Sequence, residues 1–230
     1  MEIKGLQKTS LIDYPDNIAA IVFTPGCNFR CPFCQNPDLV VGFEKLPSMK
    51  EEEVLAFLKK RSAVLDGVVI TGGEPTLQKD LPEFLRKVKA LDLDVKLDTN
   101  GSNPGMLERL LSEKLLDYIA MDIKAPLSDY AKVAGAKVDV GMIRTSIDLI
   151  RNSGVDYEFR VTVVPKLHSE EDLLTMGNEL RGAKKMTLQQ FRPLITLDPE
   201  FRNEKPYTEE FLKTVAKKLE GMFGKVIIRT

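Results

Sequence analysis

The amino-acid sequence predicts a parallel α/β fold, because short β-rich segments alternate with helical segments along most of its 230 residues. The first β-rich segment, residues 18–23, is continuously apolar, as expected for a strand that is buried on both faces of a sheet. About six strand–helix units follow one another at intervals of roughly 30 residues, the spacing of βαβ units. This pattern fits a doubly wound sheet or a full or partial barrel. In either fold, functional residues gather at the C-terminal ends of the strands.

The individual elements are predicted from local composition and periodicity. The segments with the length and residue content of strands are 18–23, 67–71, 94–98, 118–122, 159–164 and 186–191. The segments with helical periodicity are 50–61, 80–91, 106–113, 142–153 and 170–181. The first helix is predicted to begin with a capping box, in which Ser48 is the N-cap and Glu51 follows three residues later.

The C-terminal part of the chain completes the predicted fold. A polar loop that contains proline, residues 194–205, precedes an amphipathic helix at residues 206–222 and a short strand at residues 225–229. No linker or low-complexity tract interrupts the sequence, so residues 1–230 are expected to form a single domain.

Composition limits the classes of partner. The 33 Lys and Arg residues nearly balance the 34 Asp and Glu residues, so the chain lacks the basic field that favours nucleic acid or an anionic membrane. A small ligand or a protein surface is the expected partner. The first residues lack the apolar core of a signal peptide, and no apolar run is long enough to span a bilayer. A soluble, cytoplasmic protein is therefore expected.

The three cysteines of the chain lie within eight residues, as Cys27, Cys31 and Cys34. A four-iron cluster usually takes four thiolates, so three close cysteines would leave one iron open for chemistry. A structural zinc site is the main alternative, but zinc normally takes four ligands, and the only histidine, His168, would have to reach the site across a long loop. Disulfide pairing is disfavoured because the number of cysteines is odd.

Polar residues follow three successive predicted strands. Residues 72–75 read Gly-Gly-Glu-Pro, where glycines allow a backbone to approach a ligand closely. Asp98 follows the next strand, and Asp122 and Lys124 follow the one after it. Each segment alone also fits an ordinary turn or helix cap. Together they favour one shared pocket for a zwitterionic ligand or a small cation.

Three features in the first half of the chain resemble the radical S-adenosylmethionine (SAM) enzymes. They are the spacing of the three cysteines, Phe33 directly before the last cysteine, and the Gly-Gly-Glu-Pro segment. The resemblance implies a partial (β/α)6 TIM-like barrel. It also implies a 4Fe-4S cluster on Cys27, Cys31 and Cys34, with SAM chelated to the open iron. Reductive cleavage of SAM would then yield a 5′-deoxyadenosyl radical.

A narrower resemblance extends over nearly the whole chain. Five segments are similar to the activating proteins of anaerobic ribonucleoside-triphosphate reductases in their longer form, which is similar to pyruvate formate-lyase activating enzymes: KTSLIDYP (8–15), CQNP (34–37), DTNG (98–101), MDIK (121–124) and QQFRP (189–193). This resemblance implies abstraction of hydrogen from a glycine of a partner enzyme, anaerobic ribonucleotide reductase. A low-potential donor such as flavodoxin or ferredoxin would supply electrons.

Two alternatives to this function stay open at this point. In the first, a radical SAM enzyme with the same fold acts on a small molecule or a different macromolecule. In the second, the cysteines hold zinc or a cluster without catalysis, and SAM is not cleaved.

The resemblance also implies roles for individual residues. Gly72 and Gly73 would meet the methionyl amino group, Phe33 would lie near adenine, and Asp122 with Lys124 would contact the methionyl end of SAM. Asp98 and Asp122 would share a monovalent cation. The complete expected set is Phe33, Gly72, Gly73, Glu74, Asp98, Asp122, Lys124, Arg160 and Gln190.

Two positions depart from the related activating enzymes. Where those enzymes carry a histidine after the sixth strand, this chain offers Gln190 or Arg192. His168 lies in a different loop, just before Ser-Glu-Glu, and is expected to start a helix or to lie on the surface.

Overall fold

The computed structural model describes residues 1–230 and contains one eight-stranded sheet. Its strands follow one another in chain order: β1 (Gly5–Ser10), β2 (Ala19–Thr24), β3 (Gly67–Gly72), β4 (Asp94–Thr99), β5 (Tyr118–Asp122), β6 (Asp156–Val163), β7 (Lys185–Gln190) and β8 (Lys225–Arg229). Strand β1 is antiparallel to β2, and all the other neighbouring strands are parallel. The parallel strands therefore need a crossover between each pair.

Helices supply most of these crossovers. They are α1 (Pro37–Val40), α2 (Glu51–Arg61), α3 (Leu81–Lys89), α4 (Pro104–Ser112), α5 (Tyr130–Ala134), α6 (Val140–Asn152), α7 (Glu170–Glu179) and α8 (Glu209–Leu219). Single 3-10 turns occur at Phe43–Lys45, Pro75–Leu77 and Pro199–Asn203. None of the helices is long and apolar enough to span a membrane.

The strand order decides between the predicted architectures. A doubly wound sheet reverses its strand order at a switch point, whereas here the order runs from β1 to β8 without reversal. Right-handed crossovers then place all the helices on one side of the sheet, and the other side becomes the inside of a barrel. Strands β1 and β8 do not pair, so the barrel is open. The six strand–helix units from β2 to β7 confirm the partial (β/α)6 barrel.

Alternation along the strands divides the side chains between two environments. Outward residues such as Val68, Leu97 and Phe159 are fully buried in the main apolar core between strands and helices. A smaller cluster, including Tyr14 and Tyr118, lies on the inner face. The rings of these two tyrosines are 5.8 Å apart at the N-terminal ends of the strands. Polar inner positions are concentrated towards the opposite ends, where the cavity described below is located.

Strand β1 was not predicted from the sequence. Its residues from Gln7 to Thr9 are exposed, because β1 is an edge strand with one unpaired side. The short helices α1 and α5 were also not predicted. The other elements differ from the predicted boundaries by a few residues, which is the usual uncertainty at element ends.

The capping box predicted at Ser48 is wrong. Helix α2 begins at Glu51 after Lys50, without a side-chain cap, and the Ser48 hydroxyl instead accepts a hydrogen bond from Lys4 at 3.0 Å. A capping box forms at α7, where the Ser169 hydroxyl accepts from the Asp172 amide and the Asp172 carboxylate accepts from the Ser169 amide.

Candidate active site

A cavity of about 350 Å³ lies at the C-terminal ends of the strands and extends into the barrel. With one exception, Gln190, it is lined by every residue predicted to hold the cluster or SAM. These lining residues are Cys27, Cys31, Phe33, Cys34, Gly72, Gly73, Glu74, Asp98, Asp122, Lys124 and Arg160. The fold therefore brings together residues from five separate loops and strands.

The three thiols face this cavity from the loop after β2, and none of them forms a disulfide. The Phe29 amide donates to the Cys27 sulfur at 3.4 Å, and the Cys34 amide donates to the Cys31 carbonyl at 3.0 Å. No group of three His, Cys, Asp or Glu side chains is close enough to hold a metal ion directly. Each thiolate of a 4Fe-4S cluster binds a different iron, so the ligands need only face the same cavity.

Burial raises the pKa of all three thiols, that of Cys27 to about 11. The nearby Lys124 ammonium acts in the opposite direction on each of them. Without metal the thiols are therefore protonated at neutral pH. Iron binding has to displace these protons, because thiolates are the ligands.

Two glycines join the loop after β3 to the loop after β2. A Cβ atom on Gly72 would lie 2.3 Å from the Thr24 carbonyl oxygen, and one on Gly73 would lie 1.9 Å from the Gly26 carbonyl oxygen. The Gly73 amide donates to Thr24 at 2.9 Å, and the Glu74 amide donates to Gly26 at 2.7 Å. The glycines thus permit a close approach to the start of the cysteine loop, in addition to any approach to a ligand.

The Glu74 carboxylate points into the protein and is 1% exposed. It accepts hydrogen bonds from the amide and hydroxyl of Thr76, from the Thr99 hydroxyl at 2.7 Å and from the Asn100 amide at 2.7 Å. These bonds use both carboxylate oxygens, so Glu74 connects the loop after β3 to the loop after β4. Its carboxylate is therefore engaged within the protein, as is its backbone amide, which donates to Gly26.

A row of alternating charges crosses the inner face of β4, β5 and β6. Arg160 donates to Asp122 at 2.6 Å and to Asp98 at 3.3 Å. Lys96, two residues before Asp98 on β4, is 1% exposed and pairs with Asp98. Lys124 pairs with Asp122 at 3.2 Å. Register explains the arrangement, because Asp122 and Arg160 are paired positions on neighbouring strands.

These pairs determine the ionisation of the two carboxyl groups. Burial alone would raise the pKa of Asp122, but Arg160 and Lys124 outweigh it and hold this pKa well below its usual range. The pKa of Asp98 is likewise lowered, because Lys96 and Arg160 outweigh burial. Each carboxylate already has two protein cations. A monovalent metal ion would therefore enter only by displacing one of them.

The expectation for Gln190 is corrected by the structure. Its side chain lies on the outer face of β7 and donates to the Tyr207 carbonyl at 2.6 Å. The residue of β7 that lines the cavity is Gln189. Arg192, the other candidate, donates to the carbonyl of Thr230 and does not line the cavity.

His168 is also placed differently from the expectation, because it is 1% exposed. Its Nδ1 accepts from the Val164 amide at 3.0 Å, so Nε2 carries the proton and donates to the Lys124 carbonyl at 2.7 Å. The Phe33 and His168 rings pack edge to face, with their centroids 6.3 Å apart. Both ring nitrogens are engaged, so His168 cannot complete a zinc site with the cysteines.

Asn100 is a site residue that the sequence did not single out, although it lies within the DTNG segment. Its side-chain amide donates to Asn28 at 3.0 Å and approaches the Cys27 sulfur at 3.9 Å. Asn100 therefore links the first cysteine to the Glu74 carboxylate, which its own backbone amide contacts. An amide in a turn between a strand and a helix carries no signal of such a contact.

The model of the radical SAM superfamily matches residues 21–177, which include all three cysteines and the charge row. The chain belongs to the radical SAM superfamily. It is accordingly a radical SAM enzyme that uses a 4Fe-4S cluster and SAM. The free thiols, the glycine contacts and the paired charges of its cavity fit these two cofactors.

Two relatives of this radical SAM enzyme align over almost its whole length. A candidate glycyl-radical enzyme activating enzyme from Methanocaldococcus jannaschii is 34% identical over 99% of this chain and 95% of its own. The pyruvate formate-lyase-activating enzyme of Clostridium pasteurianum is 29% identical over 96% of this chain and 97% of its own. The radical SAM enzyme therefore falls in the family of glycyl-radical enzyme activating enzymes.

A solved structure with the same fold supports the architecture. SuiB of Streptococcus suis, bound to its precursor peptide SuiA, superposes with a TM-score of 0.67 at 14% identity. The match covers 91% of this chain and 48% of SuiB, so the chain spans about half the length of that protein. At this identity the similarity concerns the fold alone.

Proposed function

We propose that this protein abstracts a hydrogen atom from a glycine of anaerobic ribonucleotide reductase and so gives that partner its glycyl radical. The alignment with a candidate glycyl-radical enzyme activating enzyme over 99% of the chain supports the glycyl-radical chemistry. The choice of partner rests on the resemblance of the five segments to activating proteins of anaerobic ribonucleotide reductases. The cavity supports it, because the cysteine loop and the interior of the open barrel share one space. We place the entry of the partner's glycine loop at the open side of the barrel, between the unpaired strands β1 and β8.

When bound, the cluster and SAM supply a hydrogen-abstracting 5′-deoxyadenosyl radical, after one electron has arrived from a low-potential donor such as flavodoxin or ferredoxin. With both groups bound, the glycine α-carbon would lose one hydrogen atom to this radical, which would become 5′-deoxyadenosine, and the unpaired electron would remain on the glycine. No protein base takes part, so the contribution of the chain is to bind and position the reactants.

Within this proposal, each part of the site has a separate task. Cys27, Cys31 and Cys34 hold the cluster. The charge row presents both signs to the methionyl end of SAM, with the carboxylates available to its ammonium and the Lys124 and Arg160 cations to its carboxylate. Phe33 is 5% exposed at the cavity wall and provides an aromatic surface for adenine.

The test uses the anaerobically reconstituted, reduced protein together with SAM and purified anaerobic ribonucleotide reductase. The expected result is a glycyl radical on the reductase, detected by electron paramagnetic resonance, and an equivalent amount of 5′-deoxyadenosine. The Cys31→Ala variant should lack iron, sulfide and both products. A reductase whose radical-site glycine is replaced by alanine serves as the matched control.

The results also distinguish the alternatives. Formation of 5′-deoxyadenosine without a glycyl radical would show radical chemistry directed at another substrate. A reduced, intact cluster that yields neither product would favour the non-catalytic alternative.

A further inference from the structure

Two neutral polar side chains in the cavity have no task in the site described above. Thr162 on β6 and Gln189 on β7 both face the cavity, and they are paired positions in the parallel register. Neighbouring strands lie about 4.8 Å apart, so the two side chains stand side by side. Neither the Thr162 hydroxyl nor the Gln189 amide forms a hydrogen bond with the protein, so both are available to a ligand.

The charged groups around them are already committed. Asp98, Asp122, Lys124 and Arg160 pair with one another, with Lys96 completing the row. Near the other edge of the cavity, the Asp13 carboxylate accepts a hydrogen bond from the Ser10 hydroxyl. Lys124 and Arg160 are the only cations that line the cavity, and the proposed function assigns both to the carboxylate of SAM. A phosphorylated or carboxylate substrate would find no further cation there, and its charge would be poorly compensated.

The opposite wall of the cavity is mostly apolar, and its polar side chains, Gln7 and Thr71, donate to the Thr9 carbonyl and to Asp98. Ile21 and Phe23 on β2 and Val69 on β3 contribute side chains there. A substrate segment in this space therefore meets hydrocarbon on one side and two neutral hydrogen-bonding groups on the other.

Gln189 and Thr162 match the chemistry of a peptide backbone. A glutamine amide donates and accepts hydrogen bonds, and a threonine hydroxyl does the same. One peptide group offers one N–H donor and one C=O acceptor. A site with buried hydrogen-bonding groups favours substrates that pair with them, because a buried polar group left without a partner costs free energy.

We propose that Gln189 and Thr162 form a subsite that hydrogen-bonds the peptide groups beside the target glycine. This inference rests on the proposed function and identifies the substrate as an uncharged polypeptide segment. The two side chains hold the backbone, and the absence of a side chain on glycine lets its α-carbon approach the reacting group. Gln189 and Thr162 are therefore specificity-determining residues.

The experiment measures deuterium transfer from a reductase grown with α-dideuterated glycine into 5′-deoxyadenosine. The quantity compared is the deuterated fraction of all 5′-deoxyadenosine formed, because this ratio reports coupling to the peptide independently of the amount of SAM cleaved. Binding of the reductase is measured in parallel by surface plasmon resonance.

The expected result is a deuterated fraction at least 10-fold lower in Gln189→Leu and in Thr162→Val, since each removes a hydrogen-bonding group of nearly the same volume. Thr162→Ser keeps the hydroxyl and should retain the wild-type fraction. Gln190→Leu, one residue away on the outer face of β7, is the matched control for Gln189→Leu. Gln189→Glu offers a second variant if the leucine variant does not fold, and it should also lower the fraction.

The outcomes separate this inference from the proposed function. If the wild-type protein transfers deuterium and both Gln189→Leu and Thr162→Val transfer it equally well, the subsite is refuted while the proposed function stands. If the wild-type protein cleaves SAM but transfers no deuterium, the proposed function fails and the subsite fails with it.

Discussion

The imidazole of His168 donates to the backbone carbonyl of Lys124 at 2.7 Å, across 44 residues of sequence. This bond joins the loop after β6 to the loop after β5, and the latter carries a cation of the charge row. The Phe33 ring packs edge to face with the same imidazole, and the Tyr207 hydroxyl donates to the His168 carbonyl at 3.0 Å. One buried imidazole therefore fixes the relative positions of the Phe33 ring and the Lys124 backbone.

We expect His168→Phe to lower both stability and SAM affinity. The substitution leaves the Val164 amide and the Lys124 carbonyl without partners, and each unpaired buried group costs about 1–3 kcal/mol. Thermal unfolding of the apoprotein measures the first effect, and equilibrium SAM binding to the reconstituted protein measures the second. Lys166→Ala, in the same loop as His168, removes an exposed ion pair with Glu200 and a cation–π contact 5.0 Å from the Phe201 ring centroid, and it should change neither. Unchanged SAM affinity in His168→Phe would refute the positioning role.

The same residue should make stability dependent on pH. Burial lowers the pKa of His168 below its ordinary value of 6.5, an effect that the Lys124 charge reinforces and that the Lys124 carbonyl and Asp172 oppose. As pH falls below 6.5, the unfolded chain takes up a proton before the folded protein does. Stability is therefore greatest above this pH and is lost as pH falls through the folded-state pKa. Urea unfolding at several pH values should show a smaller loss in His168→Gln than in the wild-type protein.

Gly73→Ala should disrupt the cysteine loop. The added methyl group would lie 1.9 Å from the Gly26 carbonyl oxygen, so the loops after β2 and β3 must separate. Overpacking usually costs about 1–3 kcal/mol, and this contact is severe enough for the upper end of that range. Iron and sulfide content should fall together with the unfolding temperature. Gly105→Ala is the control. A Cβ atom on Gly105 would lie 3.9 Å from the Asn103 side-chain oxygen, and alanine favours the helix in which this residue lies. A normal iron content in Gly73→Ala would contradict this account.

Asp122→Asn should weaken SAM binding while leaving the cluster intact. It removes the negative charge between Arg160 and Lys124 but none of the thiols. We expect a loss of SAM affinity of about 10-fold or more, which corresponds to about 1.4 kcal/mol. Iron content and equilibrium SAM binding are the measurements. Asp156→Asn, in an exposed pair with Lys184, is the control and should retain wild-type affinity. Loss of iron in Asp122→Asn would instead point to a structural role.

The sequence predicted one pocket for residues at successive strand ends, and the cysteines, Asp98, Asp122 and Lys124 do line one cavity. This placement was predictable because the apolar runs mark the strand ends clearly. It failed for Gln190, since side chains on a strand alternate between faces and an error of one residue exchanges inside for outside. Gln189 and Gln190 are chemically identical, so composition could not choose between them. The register with Thr162 on β6 was needed.

His168 shows a second limit of the sequence. A histidine before Ser-Glu-Glu resembles the exposed start of a helix, and Ser169 does cap α7. What buries His168 is its contact with the Lys124 carbonyl, a backbone atom that every residue possesses. No residue type marks such a partner, so only the tertiary structure reveals it. The polar edge strand β1 was missed for a related reason, because exposed strand residues need not alternate with apolar ones.

The cluster ligands and Gln189 lie in different parts of the open barrel. The superfamily match ends at residue 177, after the cysteines and the charge row but before β7, which carries Gln189. Strands β7 and β8 complete the sheet at its free edge and contribute no cysteine. If Gln189 selects the substrate as proposed above, a chimaera that carries a homologue's residues after α7 will change substrate selection and keep the same cluster ligands.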